Sequence, residues 1–221
     1  MKKNEYDLIV IGSGSGGLTS AIAGKYFVEK VLVIEKSKIG GDCTNNGCVP
    51  SKTLIKAGKI AKDYKKGIEM FESKNKFTNF NIEKVLKHVQ DKIEYFHKNL
   101  ESVEMLKDLG LNIVFGAAKF IDKNTLDVNG EKFTGKKIVI ATGSTAFVPK
   151  IKGLVSVNYQ TNKQIFIPKK FKSITIIGGG PIGSELSQAF NNLGIKVNII
   201  DRGDTVLSRE DPEASKIILD I

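Results

Sequence analysis

The feature that most restricts the fold of this 221-residue sequence is a glycine pattern that occurs twice. The pattern G-x-G-x-x-G begins at Gly12 and again at Gly178, each time between an apolar run and a stretch with helical character. An acidic residue follows at the same spacing in both copies, Glu35 in the first and Asp201 in the second. Each copy predicts a strand–turn–helix–strand unit with parallel strands, because the first glycine makes a tight turn and the third lets the helix pack closely on the strand.

Each unit is typical of a dinucleotide-binding turn. The second glycine lets a pyrophosphate approach the backbone, the helix N-terminus offers unpaired N–H groups, and the acid accepts hydrogen bonds from ribose hydroxyls. Two such units in one chain indicate electron transfer between a bound flavin and a nicotinamide. The predicted contacts are Gly12, Ser13, Gly14, Gly17, Glu35 and Lys36 at the first turn, and Gly178, Gly180, Ile182, Gly183 and Asp201 at the second.

The second acid bears on the choice of nicotinamide. Asp201 favours NAD over NADP, since a 2′-phosphate would meet a carboxylate. Arg202, directly beside it, keeps NADP open as the alternative.

The segment between the two units predicts further helices and strands. Apolar residues recur at helical spacing from Ile82 to Leu109, which predicts one long amphipathic helix ended by Gly110. An apolar strand at Ile138–Ile140 ends in Ala141-Thr142-Gly143. Between them, short runs separated by turn residues predict a small antiparallel meander: Leu111–Phe115, Lys119–Ile121, Thr125–Val128 and Lys132–Phe133.

These elements predict an α/β fold class with FAD- and NAD(P)-binding Rossmann-like domains, parallel sheets and the small meander. We expect an FAD-binding domain over residues 1–149 and a partial NAD(P)-binding domain over residues 150–221, joined by a linker that contains Pro149 and Gly153. After its glycine turn and second strand, the second domain contains only one more predicted helix, Asp211–Ile221, so it is expected to be incomplete.

The formal net charge of +10 raises nucleic acid or anionic lipid as a partner. Only Arg202 and Arg209 among the 34 basic residues are arginines, the lysines are spread along the chain, and tryptophan is absent. This pattern favours a solvated surface over a nucleic-acid or membrane partner. No apolar stretch approaches the roughly 18 to 20 residues of a membrane span, and the opening residues do not resemble a signal peptide. We therefore expect a cytoplasmic location.

The two cysteines, Cys43 and Cys48, lie in a polar, glycine-rich segment ahead of a helix predicted to begin at Pro50. A metal site would need further ligands, and His88 and His97 lie on the long predicted helix, so no metal site is predicted. A structural disulfide closing so small a loop would stabilise the fold by only about 2 kcal/mol. A chain without an export signal is also expected in a reducing compartment.

Redox chemistry accounts for the cysteine pair better. Cys48 precedes the predicted helix, where the helix dipole and the nearby Lys52 favour the thiolate form. Cys43, on the predicted loop, is expected to be the more accessible thiol for exchange with a substrate.

At these residues the sequence resembles a known family. The segment Gly40–Lys52 resembles the redox-disulfide motif of the class I pyridine nucleotide–disulfide oxidoreductases, flavoproteins that include dihydrolipoamide dehydrogenase, glutathione reductase and mercuric reductase. The resemblance extends over the whole chain and includes both glycine turns, Ala141-Thr142-Gly143 and Glu185. The tail Arg209–Ala214 and Asp42 are most similar to the mercuric reductase-like branch.

The resemblance implies an FAD-dependent enzyme, a homodimer at full length, that passes electrons between NAD(P)H, FAD and a Cys43–Cys48 disulfide. The substrate would be a small disulfide, a dithiol or Hg(II). Cys48 would be the flavin-proximal thiol of a charge-transfer pair and Cys43 the interchange thiol. Lys52 would lie beside the reactive edge of the flavin, paired with Glu185. The other positions that the resemblance assigns to the FAD site are Gly41, Asp42, Ala118, Thr142 and Gly143.

Members of this family are considerably longer. The rest of the nicotinamide domain, a segment that completes the FAD site and the dimerisation domain have no counterpart here, and neither His88 nor His97 matches the family's catalytic histidine. We therefore expect an N-terminal fragment with little turnover of its own. The alternatives are a dinucleotide-binding remnant without turnover and a basic nucleic-acid-binding protein.

Overall fold

The computed structural model describes residues 4–71 and 80–220. Contacts divide the chain into two compact units. Unit 1 contains Met1–Val49 and Lys92–Ile165, and unit 2 contains Pro50–Asp91 and Phe166–Ile221. This division differs from the predicted boundary between residues 149 and 150, because the intervening helical segment from Pro50 to Asp91 groups with the second glycine turn.

The helices and strands alternate as expected for an α/β fold. In chain order they are β1 (Glu5–Ile11), α1 (Ser15–Lys25), β2 (Val31–Glu35), α2 (Gly41–Asn46), α3 (Cys48–Met70), α4 (Ile82–Asn99), α5 (Val103–Asp108), β3 (Leu111–Phe115), β4 (Ala118–Phe120), β5 (Thr125–Val128), β6 (Glu131–Ile140), α6 (Asn162–Ile165), β7 (Ser173–Ile177), α7 (Pro181–Asn192), β8 (Lys196–Ile200) and α8 (Pro212–Leu219).

Unit 1 is built on a six-stranded sheet with the order β3-β2-β1-β6-β5-β4. The strands β3, β2, β1 and β6 are parallel, and β5 and β4 join antiparallel to β6. All five residues of β2 are buried, as expected for a strand with neighbours on both sides and a covered sheet on both faces. One apolar cluster, which includes Val10 and Val33, packs on one face, and another, which includes Ile9 and Leu32, packs on the other.

The α/β class with a mainly parallel sheet is confirmed, but the extent of the meander is corrected. Leu111–Phe115 pairs in parallel with β2 at one edge of the sheet and is not part of the meander. The meander consists of β4, β5 and the start of β6, and the two predicted strands at Lys132–Phe133 and Ile138–Ile140 are one continuous strand. The sequence suggests a meander because the strands are close in the chain, whereas β3 is placed by its pairing with β2, which lies far away in the sequence.

In the parallel part of the sheet, the order of the strands reverses between β1 and β6. From β1 the chain crosses through α1 to β2 on one side, and β6 lies on the other side of β1. The turn after β1 and the segment after β6 therefore meet at the carboxyl edge of the sheet. A Cβ atom built on Gly12 would lie 2.3 Å from the carbonyl oxygen of Ala141. Such a crevice is where open α/β sheets bind ligands.

Two helical predictions need correction. The predicted helix from Ile82 to Leu109 is two helices, α4 and α5, because Ser102 caps α5 by accepting a hydrogen bond from the backbone N–H of Met105 at 3.1 Å. The cysteine segment, predicted as a loop, contains the short helix α2, and α3 begins at Cys48 and not at Pro50. The predicted end of the last helix, Ile221, lies outside the described residues.

In unit 2 the parallel pair β7–β8 is joined by α7. The first part of α3 packs directly on α7, since a Cβ built on Gly58 would lie 2.9 Å from the carbonyl oxygen of Ala189. The ammonium group of Lys65 donates to the carbonyl oxygen of Asn192 at 2.9 Å. These contacts explain why α3 groups with the second glycine turn. Over residues 4–71 and 80–220, none of the helices combines the length and apolarity needed to cross a membrane.

The α3–α7 contact predicts opposite effects for two glycines of one helix. Gly58→Ala is expected to lower the free energy of unfolding by about 1 to 3 kcal/mol, because the new methyl group meets the backbone of α7. Gly67→Ala, where an added Cβ has nothing within 4 Å, is expected to raise it by up to about 1 kcal/mol through helix propensity. Urea denaturation followed by circular dichroism measures both, and equal effects of the two substitutions would contradict the packing.

Candidate functional site

The first glycine turn forms an open cradle at the N-terminus of α1. Gly12 has a φ of +100°, and its N–H donates to the carbonyl oxygen of Ile34 at 2.8 Å. Gly14 is the N-cap of α1, and among the described residues no side chain caps this terminus and no acid lies in its first turn. A Cβ on Gly17 would lie 1.9 Å from the carbonyl oxygen of Gly12. The turn therefore directs unpaired N–H groups and the positive end of the helix dipole at one point.

Glu35 fastens this turn from the end of β2. Its Oε2 accepts hydrogen bonds from the backbone N–H of Ser13 at 2.9 Å and from the Ser13 hydroxyl at 2.7 Å. Its Oε1 accepts from the N–H of Ser37 at 2.7 Å. Glu35 and Ser13 are both buried, whereas Lys36 is exposed. Each carboxylate oxygen has two lone pairs, so Oε1 keeps capacity for a further donor such as a ribose hydroxyl.

The second turn repeats the geometry of the first. Gly178 has a φ of +108°, and Gly180 caps α7 with backbone angles close to those of Gly14. A Cβ on Gly183 would lie 2.0 Å from the carbonyl oxygen of Gly178, just as a Cβ on Gly17 would lie 1.9 Å from that of Gly12. Among the described residues, no atom lies within 4 Å of a Cβ built on Gly180, and Ile182 beside it is 70% exposed.

Asp201 occupies the position in the second turn that Glu35 occupies in the first. Its carboxylate accepts hydrogen bonds from the backbone N–H groups of Gly179 and Gly203. These backbone hydrogen bonds, led by the one from Gly203, hold the pKa of Asp201 below its usual value, and the neighbouring Arg202 adds to the effect. Asp201 therefore stays negatively charged at the end of β8.

Other residues predicted to bind FAD lie at three places in unit 1. A Cβ on Gly41 would lie 2.5 Å from the Cα of Gly14, so the start of α2 lies directly on the first turn. Gly143 has a φ of +68° with open space around it, and Thr142 beside it is exposed. Ala118 packs against the buried cluster that includes Ile9 and Leu32. An extended dinucleotide such as FAD fits this site, because no described side chain caps the helix terminus, glycines line the approach to it and a buried acid lies beside it.

The two cysteines lie on adjoining helices and are hydrogen-bonded to each other. Cys43, in α2, is half-buried, and Cys48, the first residue of α3, is exposed; both are in the thiol form. The prediction that Cys43 is the more accessible thiol is therefore wrong for the chain as described, because the segment is helical and turns Cys43 inward.

The pKa of Cys43 is governed mainly by Cys48. The Cys43 thiol donates a hydrogen bond to Cys48, and this bond, together with burial and the charge of Cys48, raises the pKa of Cys43 above its ordinary value. The backbone N–H of Cys48 and the hydroxyl of Ser15 donate to the Cys43 sulfur and oppose part of the increase. Cys43 therefore keeps its proton to a higher pH than an ordinary cysteine does.

This arrangement predicts opposite shifts in the alkylation of Cys43. Cys48→Ala is expected to move the pH of half-maximal Cys43 alkylation downward, because the acceptor that retains its proton is lost. Ser15→Ala is expected to move it upward, because a donor to the thiolate is lost. Iodoacetamide labelling across pH, mapped by mass spectrometry, measures both shifts. Ser20→Ala, which removes a hydroxyl bound to Gly16 on the same helix, serves as control. An unchanged profile in Cys48→Ala would contradict the assigned hydrogen bond.

Two side chains, Asn162 and His97, bind residues of α2 in a way that the sequence did not predict. The amide nitrogen of Asn162 donates to both carboxylate oxygens of Asp42, at 3.1 and 3.2 Å. His97 lies 2.9 Å from Asn45, measured from Nε2 to Oδ1. Both contacts join positions far apart in the chain, and neither residue belongs to a motif. The structure thus gives Asp42 a protein partner, and its predicted role at the flavin stays a prediction.

Lys52 and Glu185, both in unit 2, form an ion pair. The Lys52 Nζ atom lies 2.7 Å from Oε2 and 2.9 Å from Oε1 of Glu185. Their side chains are 60% and 47% exposed, so the pair adds at most about 1 kcal/mol to stability. The pairing that the resemblance implied is present. Its contribution to stability is too small to account for it. The described part of the chain contains no cluster of three or more residues suited to hold a metal ion.

Comparison with known proteins places these features in a wider context. The sequence profile of the family described as "Pyridine nucleotide-disulphide oxidoreductase" matches residues 6–221. The mercuric reductase of Bacillus cereus is 38% identical over 97% of this chain and 34% of its own length. The dihydrolipoyl dehydrogenase of Acholeplasma laidlawii is 33% identical over 95% of this chain and 63% of its own length.

A solved structure agrees with these relatives. The HOCl-induced flavoprotein disulfide reductase RclA of Escherichia coli superimposes with a TM-score of 0.79 at 29% identity, over 96% of this chain and 46% of that protein. The chain thus spans less than two thirds of the length of each of these similar proteins.

Proposed function

Because the chain belongs to the pyridine nucleotide-disulphide oxidoreductase family, whose members depend on FAD and use NAD(P)H, we propose that it takes part in flavin-dependent disulfide chemistry. The first glycine turn holds FAD, the second holds NAD(P)H, and Cys43 and Cys48 form a redox-active disulfide. The substrate is a small disulfide, a dithiol or Hg(II), in keeping with the mercuric reductase and dihydrolipoyl dehydrogenase relatives.

One observation carries this proposal: the helix bearing Cys43 lies directly on the first glycine turn. The N–H of Gly40 donates to the carbonyl oxygen of Ser13 at 2.9 Å. A Cβ on Gly41 would lie 2.5 Å from the Cα of Gly14, so the close approach leaves no room for a larger residue at position 41. Cys43 follows in the first turn of the same helix. A dinucleotide cradle and a hydrogen-bonded thiol pair are therefore parts of one local structure, which supports electron transfer between a bound flavin and the thiols.

The thiols can exchange with a substrate disulfide in two balanced steps. FAD, when bound, supplies the two electrons that it accepts from NAD(P)H. Cys43 loses its proton and attacks one substrate sulfur, the substrate S–S bond breaks, and the leaving thiolate takes up a proton. Cys48, as thiolate, then attacks the Cys43 sulfur of the mixed disulfide, releases the second substrate thiolate and re-forms the Cys43–Cys48 bond. The order of the two attacks follows the roles that the resemblance implies, with Cys43 as the interchange thiol and Cys48 as the flavin-proximal thiol.

For the nicotinamide we propose NAD in preference to NADP. The carboxylate of Asp201 is kept charged by backbone N–H groups at the end of β8. A 2′-phosphate at that position would meet like charge. Lys52 and Glu185, joined in unit 2, are proposed to contact the reacting rings, Lys52 beside the flavin and Glu185 near the nicotinamide.

The test counts thiols produced by NADH. The chain is oxidised, loaded with FAD, mixed with NADH without oxygen, and treated with iodoacetamide; mass spectrometry then counts labelled cysteines. We expect two labelled cysteines per chain with FAD and none without it, and slower labelling with NADPH. Labelling that is independent of FAD would overturn the proposal, and flavin binding without new thiols would indicate a dinucleotide-binding remnant. That the chain alone turns over little substrate stays a prediction.

A trapping experiment checks the two thiol roles separately. In a Cys48→Ser variant, glutathione disulfide is expected to leave Cys43 as a lasting mixed disulfide, because the resolving thiol is gone. In Cys43→Ser, Cys48 remains without the thiol that donated to it. Glutathione disulfide is expected to leave no lasting adduct on Cys48 when bound flavin covers that thiol. Equal trapping in both variants with FAD present would show that the roles are assigned wrongly.

A further inference from the structure

His97, in the last turn of α4, is tied to the helix that carries Cys43. Its Nε2 atom lies 2.9 Å from Oδ1 of Asn45 in α2. The amide nitrogen of Asn45 donates to the carbonyl oxygens of Ile39 at 3.0 Å and Gly41 at 2.7 Å. Both amide hydrogens are thus used on carbonyl acceptors, which fixes the orientation of the Asn45 side chain. Oδ1 can only accept, so Nε2 of His97 carries the hydrogen.

This contact matters because α2 cannot hold its own position. A helix of six residues is too short to be stable in isolation, so its placement depends on tertiary contacts. Asn45 closes the helix onto the carbonyl groups at its start, and His97 attaches the helix to the part of α4 that belongs to unit 1, where Ile93 is buried. Cys43 lies two residues before Asn45 on the same short helix.

We propose that His97 is a positioning residue for Cys43: by donating Nε2–H to Asn45 it holds α2 so that the Cys43 thiol reaches Cys48. His97 acts on the thiols only through Asn45. The inference rests on the proposed function, since it concerns the geometry of the thiol pair. It predicts that loss of this one hydrogen bond weakens pairing of the thiols while the fold stays intact.

The test is the equilibrium of the thiol pair with glutathione. The two protein thiols give up two electrons and two protons, glutathione disulfide accepts both, and two molecules of glutathione form. His97→Leu is expected to lower the equilibrium constant for the protein disulfide about tenfold, because Cys43 is held less firmly beside Cys48. His97→Gln, whose amide nitrogen can donate in place of Nε2, is expected to restore most of it. His88→Leu, the same change at an exposed position of α4, is the matched control.

Alkylation of Cys43 provides a second measurement that does not depend on disulfide formation. Since contact with Cys48 is the main cause of the raised Cys43 pKa, loosening α2 is expected to shift its alkylation to lower pH in His97→Leu. Circular dichroism establishes that each variant is folded. If His97→Leu behaves like His88→Leu in both measurements, or if His97→Gln fails to restore either, the proposal is overturned. A parent chain that forms no disulfide would instead refute the proposed function, and the alkylation profile would still decide the role of His97.

Discussion

Gly17→Ala is expected to lower the free energy of unfolding by about 4 kcal/mol or more, because the added methyl group meets backbone atoms that cannot move aside alone. The added Cβ would lie 1.9 Å from the carbonyl oxygen of Gly12 and 2.9 Å from its carbonyl carbon. Both atoms belong to the backbone of the first turn, so relief requires α1 to move away from β1. Because α1 covers the parallel sheet, that movement opens one of the two apolar clusters of unit 1.

A neighbouring glycine supplies the control for this measurement. Gly16 lies in the same first turn of α1, is exposed, and has nothing within 4 Å of an added Cβ. Gly16→Ala is therefore expected to leave the free energy of unfolding unchanged or to raise it by up to about 1 kcal/mol. Urea denaturation of the two variants beside the parent chain distinguishes them. A loss below about 1 kcal/mol in Gly17→Ala would show that the turn has more room than the structure gives it.

Gly14→Ala is expected to reduce FAD affinity about a hundredfold with little change in stability. Gly14 has φ −73° and ψ −176°, which alanine adopts freely, and an added Cβ would meet only the Cα of Gly41, at an ordinary 3.7 Å. The methyl group would instead fill the space in front of the N–H groups at the start of α1. Losing one hydrogen bond to a charged phosphate costs about 1.5 to 3 kcal/mol, and each 1.4 kcal/mol is about tenfold in affinity.

Fluorescence titration with FAD measures this effect, again with Gly16→Ala as the control. Equal affinities for the parent chain and Gly14→Ala would place the pyrophosphate elsewhere. A loss of affinity in Gly16→Ala as large as in Gly14→Ala would point to a general disturbance of α1 and not to a blocked approach. The three glycines of this turn are thus expected to differ: Gly14 matters for FAD binding, Gly17 for folding and Gly16 for neither. An ordinary glycine-rich loop does not produce this pattern.

The sequence determined the elements whose rules are local. A glycine turn between an apolar strand and a helix dictates its own geometry, which is why Gly12 and Gly178 adopt nearly the same positive φ and why Glu35 and Asp201 occupy equivalent places. Residue spacing was also sufficient to predict the parallel sheet, since a strand–helix–strand crossover forces its two strands to run parallel.

Positions fixed by distant partners were decided only by the tertiary structure. The strand at Leu111–Phe115 has the same local pattern as the strands of the meander, but it pairs with β2, which lies far away in the sequence. The helix from Ile82 is interrupted because Ser102 can cap a second helix, a choice that apolar spacing does not reveal.

The candidate site shows the same division. The presence of the cysteine pair and of both cradles follows from the sequence, and so does the expected partnership of Lys52 with Glu185, which the resemblance implied. The inward turn of Cys43, its hydrogen bond to Cys48 and the attachment of α2 through His97 depend on how a six-residue helix is packed. A helix that short has no stable position of its own, so tertiary contacts, and not the local sequence, decide how far Cys43 is buried and which groups it contacts.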